Sequence, residues 1–412
     1  MIDYHLLLSV LIGVSILIIL ILKFKIQPFL GLFISSILVG VLAGVAPLEI
    51  MNTVKEGMGS TLGFVAVVVG LGAMFGAILE HSGGAEALAQ YLLKAFGEKN
   101  ASWALMITGF FIAIPVFFDV AFIILIPLVY SLQRKTKKSM LLYAIPLLAG
   151  LAITHAFIPP TPGPVAVADI LNADLGWVIL VGFIVGIPTA IVSGPIFGKF
   201  IASKIFIAAP KKIDEKVVDN FPPISLILSI IATPILLIVL NTLLNSPLGS
   251  SLNLSDKTIT WLQMIGHPFS ALIIANLMAW YLLGIRRGVS KAILSKITSA
   301  SLAPAGIIIL LTGAGGVFKQ MLITTGTGEM LANYFSSIGL SVLLFSFLAA
   351  VCVRILQGSS TVAMITAAGI TSSLITTPLG EFHTALIVIS IAAGASILSH
   401  VNDSGFWLVS NY

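Results

Sequence analysis

An internal repeat constrains the fold of this chain more than any other feature of its sequence. Residues 26–170 and 266–410 are diverged copies of one another, and their register drifts by only five residues, from a spacing of 240 to one of 245. The matched pairs include Pro28 and Pro268, Gly72 and Gly315, Phe75 and Phe318, and His155 and His400. Repeats of this kind are typical of secondary transporters, whose binding sites lie where the copies meet.

The chain is too apolar for a water-soluble protein. Of its 412 residues, 58% are hydrophobic and 9% are charged, whereas a soluble domain has roughly a quarter of its residues charged. Apolar runs long enough to cross ~30 Å of hydrocarbon as helices occupy residues 6–22, 28–46, 60–80, 141–158, 177–198, 224–245, 266–285, 300–318 and 383–400. Two further apolar regions, 102–131 and 338–378, are long and interrupted. The sequence therefore predicts an all-α polytopic membrane protein in a lipid bilayer.

Composition and missing motifs exclude several functional classes. The single cysteine, Cys352, excludes an internal disulfide and a cysteine-based zinc site. The sequence contains no metalloprotease, P-loop, nucleophile-elbow or dinucleotide-binding motif, so we predict no enzyme activity, no metal and no cofactor. The net charge of +5 is attributed to basic cytoplasmic loops and not to a nucleic-acid partner.

The basic residues predict the topology. They cluster in four connections that should share the cytoplasmic side, at residues 23–25, 134–138, 199–216 and 286–296. Residues 134–138 reach that side only if 102–131 crosses the membrane an even number of times, as a re-entrant hairpin does. The N-terminus is then outside, and the segments that begin at Pro28 and Pro268 run in opposite directions. The two repeats are therefore predicted to be inverted.

The repeat and the topology together predict the domain organisation. Each repeat should combine scaffold helices, a re-entrant hairpin and a broken helix, with the hairpins entering from opposite faces. The predicted segments are an N-terminal transmembrane helix (1–25), a first repeat (26–198, with hairpin 102–131 and broken helix 141–165), a cytoplasmic loop with a linking helix (199–265), and a second repeat (266–412, with hairpin 338–378 and broken helix 383–405).

The first hairpin places a carboxylate beside a helix break. Asp119 follows Pro115 in an otherwise apolar region, and an aspartate at the centre of a membrane helix costs about 2.5–3.5 kcal/mol. Ionisable residues inside membranes are functional by default, so Asp119 is predicted to couple a proton or to bind substrate. The structural alternative is a residue that caps a half-helix or is protonated in a packed core.

The second hairpin contains Arg354 and a polar break formed by Gly358, Ser359, Ser360 and Thr361. Irregular backbone at membrane depth is tolerated where it faces protein or a water-filled cavity. A helix that begins at such a break directs its free N–H groups into that space, where they can bind an anion. The planar guanidinium of Arg354 matches a carboxylate. These residues are predicted to bind an anionic substrate, although Arg354 could instead bind backbone carbonyls at the hairpin tip or reach toward the interface.

The broken helices supply further candidates. His155 is followed by four prolines within residues 159–164, which cannot continue a helix, and the corresponding break in the second copy contains His400, Asn402 and Asp403. His155 and His400 could carry the coupling proton or be packed histidines with no such role. Asn402 and Asp403 could bind substrate hydroxyls or take the proton, whereas their structural alternative is a cap of the second broken helix.

Several motifs together resemble the gluconate permease (GntP) family, and the likeness covers nearly the whole chain. The most specific are residues 358–369 and 399–407, and the others are residues 117–120, 159–164, 266–269 and 313–316. The resemblance implies proton-coupled import of gluconate or a related small hydroxy acid across the bacterial inner membrane.

The resemblance also implies a mechanism and a site. It places the chain in the ion transporter superfamily, whose members have a scaffold, a mobile transport domain with two hairpins, and elevator-type movement in a homodimer. Carried over motif by motif, the implied site consists of Phe118, Asp119, Thr161, Gly163, Ser359, Ser360, Thr361, Asn402 and Asp403.

The sequence departs from the family pattern at two points. Asp119 stands where the resemblance implies glutamate, so the carboxylate is shorter by one carbon. The family pattern also implies one more hydrophobic segment after Tyr412, so the second copy is predicted to lack an equivalent of residues 177–198.

Alternative functions stay open at the level of sequence. The carried acid could be gluconate, idonate, a hexuronate, glycerate or D-serine, and sodium could replace the proton. A passive anion channel would use the same polar interruptions as a selectivity filter. An intramembrane enzyme built on His155, His400 and the aspartates is a third alternative.

Overall fold

In a computed structural model, all regular secondary structure in the described part of the chain is helical. The described part comprises residues 4–210, 221–245, 255–327, 341–357, 359–375, 379–399 and 403–410. No β-strand occurs among these residues. The prediction of an all-α protein is therefore confirmed.

The helices of the first half follow one another with short connections. In chain order they are α1 (Tyr4–Leu22), α2 (Pro28–Leu42), α3 (Pro47–His81), α4 (Gly84–Phe96), α5 (Ala101–Ile112), α6 (Phe118–Thr136), α7 (Leu141–Phe157) and α8 (Pro162–Ile170). Helix α9 (Leu175–Ile191) continues through a π-helical turn, Val192–Ile196, into α10 (Phe197–Ala202). Pro195 lies in this turn, where its missing N–H removes a helical hydrogen bond and favours the wider π geometry.

In the described residues of the second half, three pairs of helices follow in the same order as pairs in the first half. Its members are α11 (Ile224–Asn245), α12 (Asp256–Gly266), α13 (Pro268–Met278), α14 (Lys291–Thr324), α15 (Val342–Gln357), α16 (Ser360–Ser372), α17 (Glu381–Gly394) and α18 (Ser404–Ser410). Helices α2 and α3 correspond to α13 and α14, α5 and α6 to α15 and α16, and α7 and α8 to α17 and α18. The sequence repeat is thus also a repeat of helix order, while the inverted orientation of the copies stays a prediction.

Seven segments of the described chain are long and apolar enough to cross a membrane. They are Tyr4–Ile21, Pro47–His81, Leu141–Ile170, Leu175–Ala202, Ile224–Asn245, Pro268–Arg287 and Lys291–Thr324. Two of them extend beyond the predicted runs 60–80 and 300–318, because their more polar ends are also good helix formers. The interrupted regions, 102–131 and 338–378, each contain two helices separated by a break, α5 and α6 in the first and α15 and α16 in the second.

The helices pack into two compact units, and each unit draws on both copies of the repeat. The first comprises Met1–Val69, Pro162–Val178 and Pro304–Asn411, and the second comprises Gly70–Thr161 and Ile179–Ala303. The long helices α3 and α14 each contribute to both units. Contacts far apart in sequence, and not the repeat boundaries, therefore define the packing units.

Short helices form the centre of the first unit. Helix α8 packs against α16 and α17, and α15 packs against the same two helices. Almost every residue of α16 from Val362 to Gly369 is buried. Helices α8 and α16, from different copies of the repeat, are thus neighbours in one apolar block.

Helices α5 and α7 form the core of the second unit, and α4 and α6 pack beside them. A Cβ atom at Gly150 would collide with the carbonyl oxygen of Met106. Only glycine lets the two helix backbones approach this closely. The approach holds the turn after α7 and the break before α6 within the same unit.

Candidate functional site

In the first unit, the break between α15 and α16 ends in a helix N-terminus that is capped by serine. Ser359 has an extended backbone, and its hydroxyl oxygen accepts a hydrogen bond from the N–H of Val362 at 3.4 Å. The N–H groups of Ser360 and Thr361 have no partner within the helix, as at every helix start. Both residues are half-buried, so the positive end of α16 presents N–H and hydroxyl donors at this break.

Arg354 lies in the last turn of α15, immediately before that break. Its side chain is 5% exposed, and Nη2 donates to Oδ2 of Asp403 at 2.6 Å. Nε and Nη1 are buried and have no acceptor among the described residues. An unsatisfied buried donor costs about 1–3 kcal/mol, and more when it is charged. The guanidinium therefore has two donors suited to a further acceptor, such as a carboxylate.

Asp403 fixes the position of that guanidinium. Besides Arg354, its Oδ2 accepts from the hydroxyl of Ser399 at 2.6 Å, and its Oδ1 accepts from the N–H of Gly405 at 3.0 Å. Asp403 thus caps α18 and anchors an arginine on a different helix. The sequence anticipated the cap and not the ion pair, because 49 residues separate the two partners.

Gly163 brings the first broken helix to the same block of helices. A Cβ atom at this position would lie 2.9 Å from the sulfur of Met364, which is on the first turns of α16. The site residues that fall in the first unit are therefore Gly163, Arg354, Ser359, Ser360, Thr361 and Asp403. Gly358, His400 and Asn402 lie outside the described residues.

The second unit contains the other candidates, beginning with those at the break before α6. Asp119 is exposed on the first turn of α6, where the helix dipole favours a negative charge. The ring of Phe118 stacks on that of Phe122 with centroids 6.4 Å apart, and Phe117 contacts the imidazole of His155 edge-on at 6.4 Å. The break between α5 and α6 and the end of α7 are thus joined by an aromatic contact.

Polar groups at the end of α7 are deeply buried. The hydroxyl of Thr161 donates to the carbonyl oxygen of Ile158 at 2.6 Å and so closes the turn between α7 and α8. Nδ1 of His155 and the hydroxyl of Thr154 have no partner within the described part of the chain. His155 is therefore a buried imidazole with one ring nitrogen that has no hydrogen-bond partner among the described residues.

Sequence reasoning missed a charge pair in the first unit. Nζ of Lys319, on α14, donates to the carbonyl oxygen of Ile170 at the end of α8, at 2.5 Å. Asp169, one residue earlier, interacts electrostatically with the same lysine. The apolar run predicted for this region ends at residue 318, one residue before Lys319, but α14 continues to Thr324. A carboxylate late in the apolar helix α8 was the signal that could have found this pair.

The chain is similar in sequence to known permeases over most of its length. The sequence profile of GntP family permeases matches residues 5–412. The chain is 38% identical to a gluconate permease of Pseudomonas aeruginosa over all of this chain and 91% of that protein. It is 39% identical to a low-affinity gluconate transporter of Escherichia coli over 97% of this chain and 90% of that protein.

More distant relatives and solved structures extend the likeness. A Gnt-II system L-idonate transporter of Escherichia coli is 35% identical over 97% of this chain and 90% of that protein. The solved structure of the YdaH transporter of Alcanivorax borkumensis superposes with a TM-score of 0.57 at 14% identity, over 88% of this chain and 80% of that one. At this identity the structural likeness shows the fold alone.

Proposed function

Because this chain belongs to the GntP family of permeases and is a polytopic membrane transporter for a small molecule, we propose that it imports gluconate or a related sugar acid together with a proton. Relatives at 35–39% identity carry the names gluconate and L-idonate transporter. Both are small hydroxy acids with one carboxylate. The proposed location is the bacterial inner membrane, with elevator-type movement in a homodimer.

The proposed carboxylate site is Arg354 together with the start of α16. The observation that carries it is the pair of buried N–H groups on Arg354 that have no acceptor within the described part of the chain. A substrate carboxylate would satisfy these donors, and the positive end of α16 would add to the attraction. The hydroxyls of Ser359, Ser360 and Thr361 can exchange hydrogen bonds with the hydroxyl groups of a sugar acid. The absence of a side chain at Gly163 allows α8 to pack closely against α16.

The coupling proton requires an ionisable group at membrane depth. The sequence offers Asp119, Asp403, His155 and His400 for this role. Asp403 already accepts three hydrogen bonds, whereas Asp119 is exposed on the first turn of α6. Asp119 is therefore the first of these four residues to test. Phe118 and Thr161 are proposed to lie beside the substrate path, and Asn402 is proposed to bind the hydroxyl groups of the substrate.

Uptake by proteoliposomes tests the proposal. An inward proton gradient should drive accumulation of labelled gluconate. A coupling residue is identified by a variant that loses accumulation while retaining exchange, and Asp119→Asn is the first of the four candidates to test in this way. Uptake that follows sodium and ignores the proton gradient would refute proton coupling. Conductance without accumulation would support a passive anion channel instead.

Substitution of the arginine tests the carboxylate site. Arg354→Gln should raise the apparent KM for gluconate about 10–100-fold, because a hydrogen bond to a charged group contributes about 1.5–3 kcal/mol. The matched control is Arg134→Gln, since Arg134 is half-buried on α6 and donates an exposed hydrogen bond to the backbone carbonyl oxygen of Pro210. An unchanged KM in Arg354→Gln, or equal competition by an uncharged sugar alcohol, would refute the assignment.

A further inference from the structure

Asp169 is a carboxylate near the end of a candidate membrane span, and its environment is unusual. It lies on α8, within the candidate span Leu141–Ile170, and its side chain is half-buried. It accepts no hydrogen bond from a donor among the described residues, and the charged group that acts on it is Lys319. Ionisable residues inside membrane segments are rare and costly. A carboxylate in this position is thus poised to exchange a proton.

Lys319 is held in place by α8 rather than by Asp169. Its ammonium donates to the carbonyl oxygen of Ile170, one of the carbonyl groups that a helix end leaves without a partner. The negative end of the helix dipole further favours a cation there. The lysine is therefore a fixed positive charge beside a carboxylate that it does not directly hydrogen-bond.

Close packing connects this pair to the middle and the C-terminal half of α16. A Cβ atom at Gly315 would collide with Ile365 and would lie 3.5 Å from Ile170. A Cβ at Gly369 would lie 4.0 Å from the backbone N of Lys319. Helices α8, α14 and α16 therefore meet at the charge pair, and α16 begins at the proposed carboxylate site.

Among the described titratable groups near Asp169, Lys319 is the one that balances its charge. Helix α16 carries no titratable residue. On α17, Glu381 is engaged by the indole N–H of Trp177, and His383 lies in the first turn of the same helix. Asp174, in the connection after α8, accepts from the backbone N–H of Trp177.

Charge balance then supplies a mechanism for coupling. Arg354 and Asp403 form one neutral pair, and Asp169 and Lys319 form a second. A substrate anion would give this unit one uncompensated negative charge, which is costly in a low-dielectric interior. A proton bound to a carboxylate oxygen of Asp169 removes that charge, so the empty unit and the unit loaded with both substrate and proton are each balanced.

We propose that Asp169 binds the coupling proton, that Lys319 is its fixed counter-charge, and that the two together enforce one proton per substrate carboxylate. The proposal rests on the proton symport proposed above and names the residue that carries it. The proton would bind the Asp169 carboxylate from the outside water, and it would leave with the substrate on the inside.

Calorimetry of gluconate binding in buffers of different ionisation enthalpy tests the proposal. Wild-type protein in detergent should take up about one proton per gluconate, and its Kd should rise about tenfold per pH unit once Asp169 is ionised, as linkage requires. Asp169→Asn mimics the protonated form. It should bind gluconate with less than a twofold change in Kd over the same pH range, take up no proton, and lose accumulation while retaining exchange.

Variants of the lysine separate coupling from a structural role. Asp169→Asn combined with Lys319→Met removes the positive charge that balances the substrate, so its Kd should be at least tenfold higher than in Asp169→Asn alone and independent of pH. Lys319→Arg should preserve coupling. The matched control is Asp174→Asn, which should keep its cap and the wild-type proton count.

The outcomes distinguish this assignment from the function it rests on. A wild type that neither binds nor carries any acid of a sugar-acid panel overturns the proposed function and this assignment with it. A wild type that takes up one proton per gluconate, combined with an Asp169→Asn variant that still does so, overturns this assignment alone. Lower thermal stability of the variants with an unchanged proton count shows that the pair only caps α8, and this also overturns it.

Discussion

Removing Asp403 should destabilise the protein more than removing the arginine that it pairs with. In Asp403→Ala, Arg354 stays 5% exposed with no acceptor among the described residues, and an uncompensated buried charge costs about 3–5 kcal/mol. In Arg354→Met, Asp403 keeps its donors from Ser399 and Gly405 and is 16% exposed. The cost of that variant should be about 1–3 kcal/mol.

The double variant measures the coupling between the two residues. Because the methionine needs no acceptor, Asp403→Ala with Arg354→Met should cost less than the sum of the single changes, by on the order of 2 kcal/mol. The free energy of unfolding would be measured by titration with a denaturing detergent in mixed micelles, followed by tryptophan fluorescence. Additive costs, or an Asp403→Ala variant as stable as Arg354→Met, would refute the argument that the arginine is buried and dependent on this carboxylate.

Three further substitutions test other parts of the fold. Ser359→Ala should cost about 1 kcal/mol through loss of the cap on α16 and should also weaken gluconate binding, and a loss of stability without any change in Kd would contradict the proposed site. Gly150→Val should cost about 1–3 kcal/mol by overpacking against Met106, whereas a variant with wild-type stability would show that α5 and α7 can separate. Burial raises the pKa of Glu86 above 4.5, and its Oε2 has no partner in the described chain. The folded protein thus keeps the proton of Glu86 to higher pH than the unfolded chain does. The stability of the fold therefore falls as the pH rises from the pKa of Glu86 in the unfolded chain to its pKa in the folded protein. Glu86→Gln should accordingly have a higher melting temperature than wild type at about pH 8 but not at about pH 4.

Local signals in the sequence were sufficient for the helices and their breaks. Apolar runs predict helices wherever they occur, and proline removes a helical N–H at a known position, so the break near Pro115 and the turn before α8 follow from the residues at those places. The serine-rich break before α16 is local for the same reason, since Ser359 caps the helix that it precedes. Helix ends were less predictable, because polar residues such as Lys319 continue a helix as readily as apolar ones do.

The partners of the charged residues were decided by tertiary structure alone. Arg354 and Asp403 are 49 residues apart, and Lys319 lies 149 residues from the carbonyl group of Ile170 that it contacts. No spacing rule links such positions, because their proximity depends on how α8, α14, α15 and α18 pack. The sequence by itself determined that this chain is a repeated set of membrane helices with charges at its breaks. Only packing decided which of those charges meet, since a charge in a membrane interior is stable where a separate helix brings it a partner.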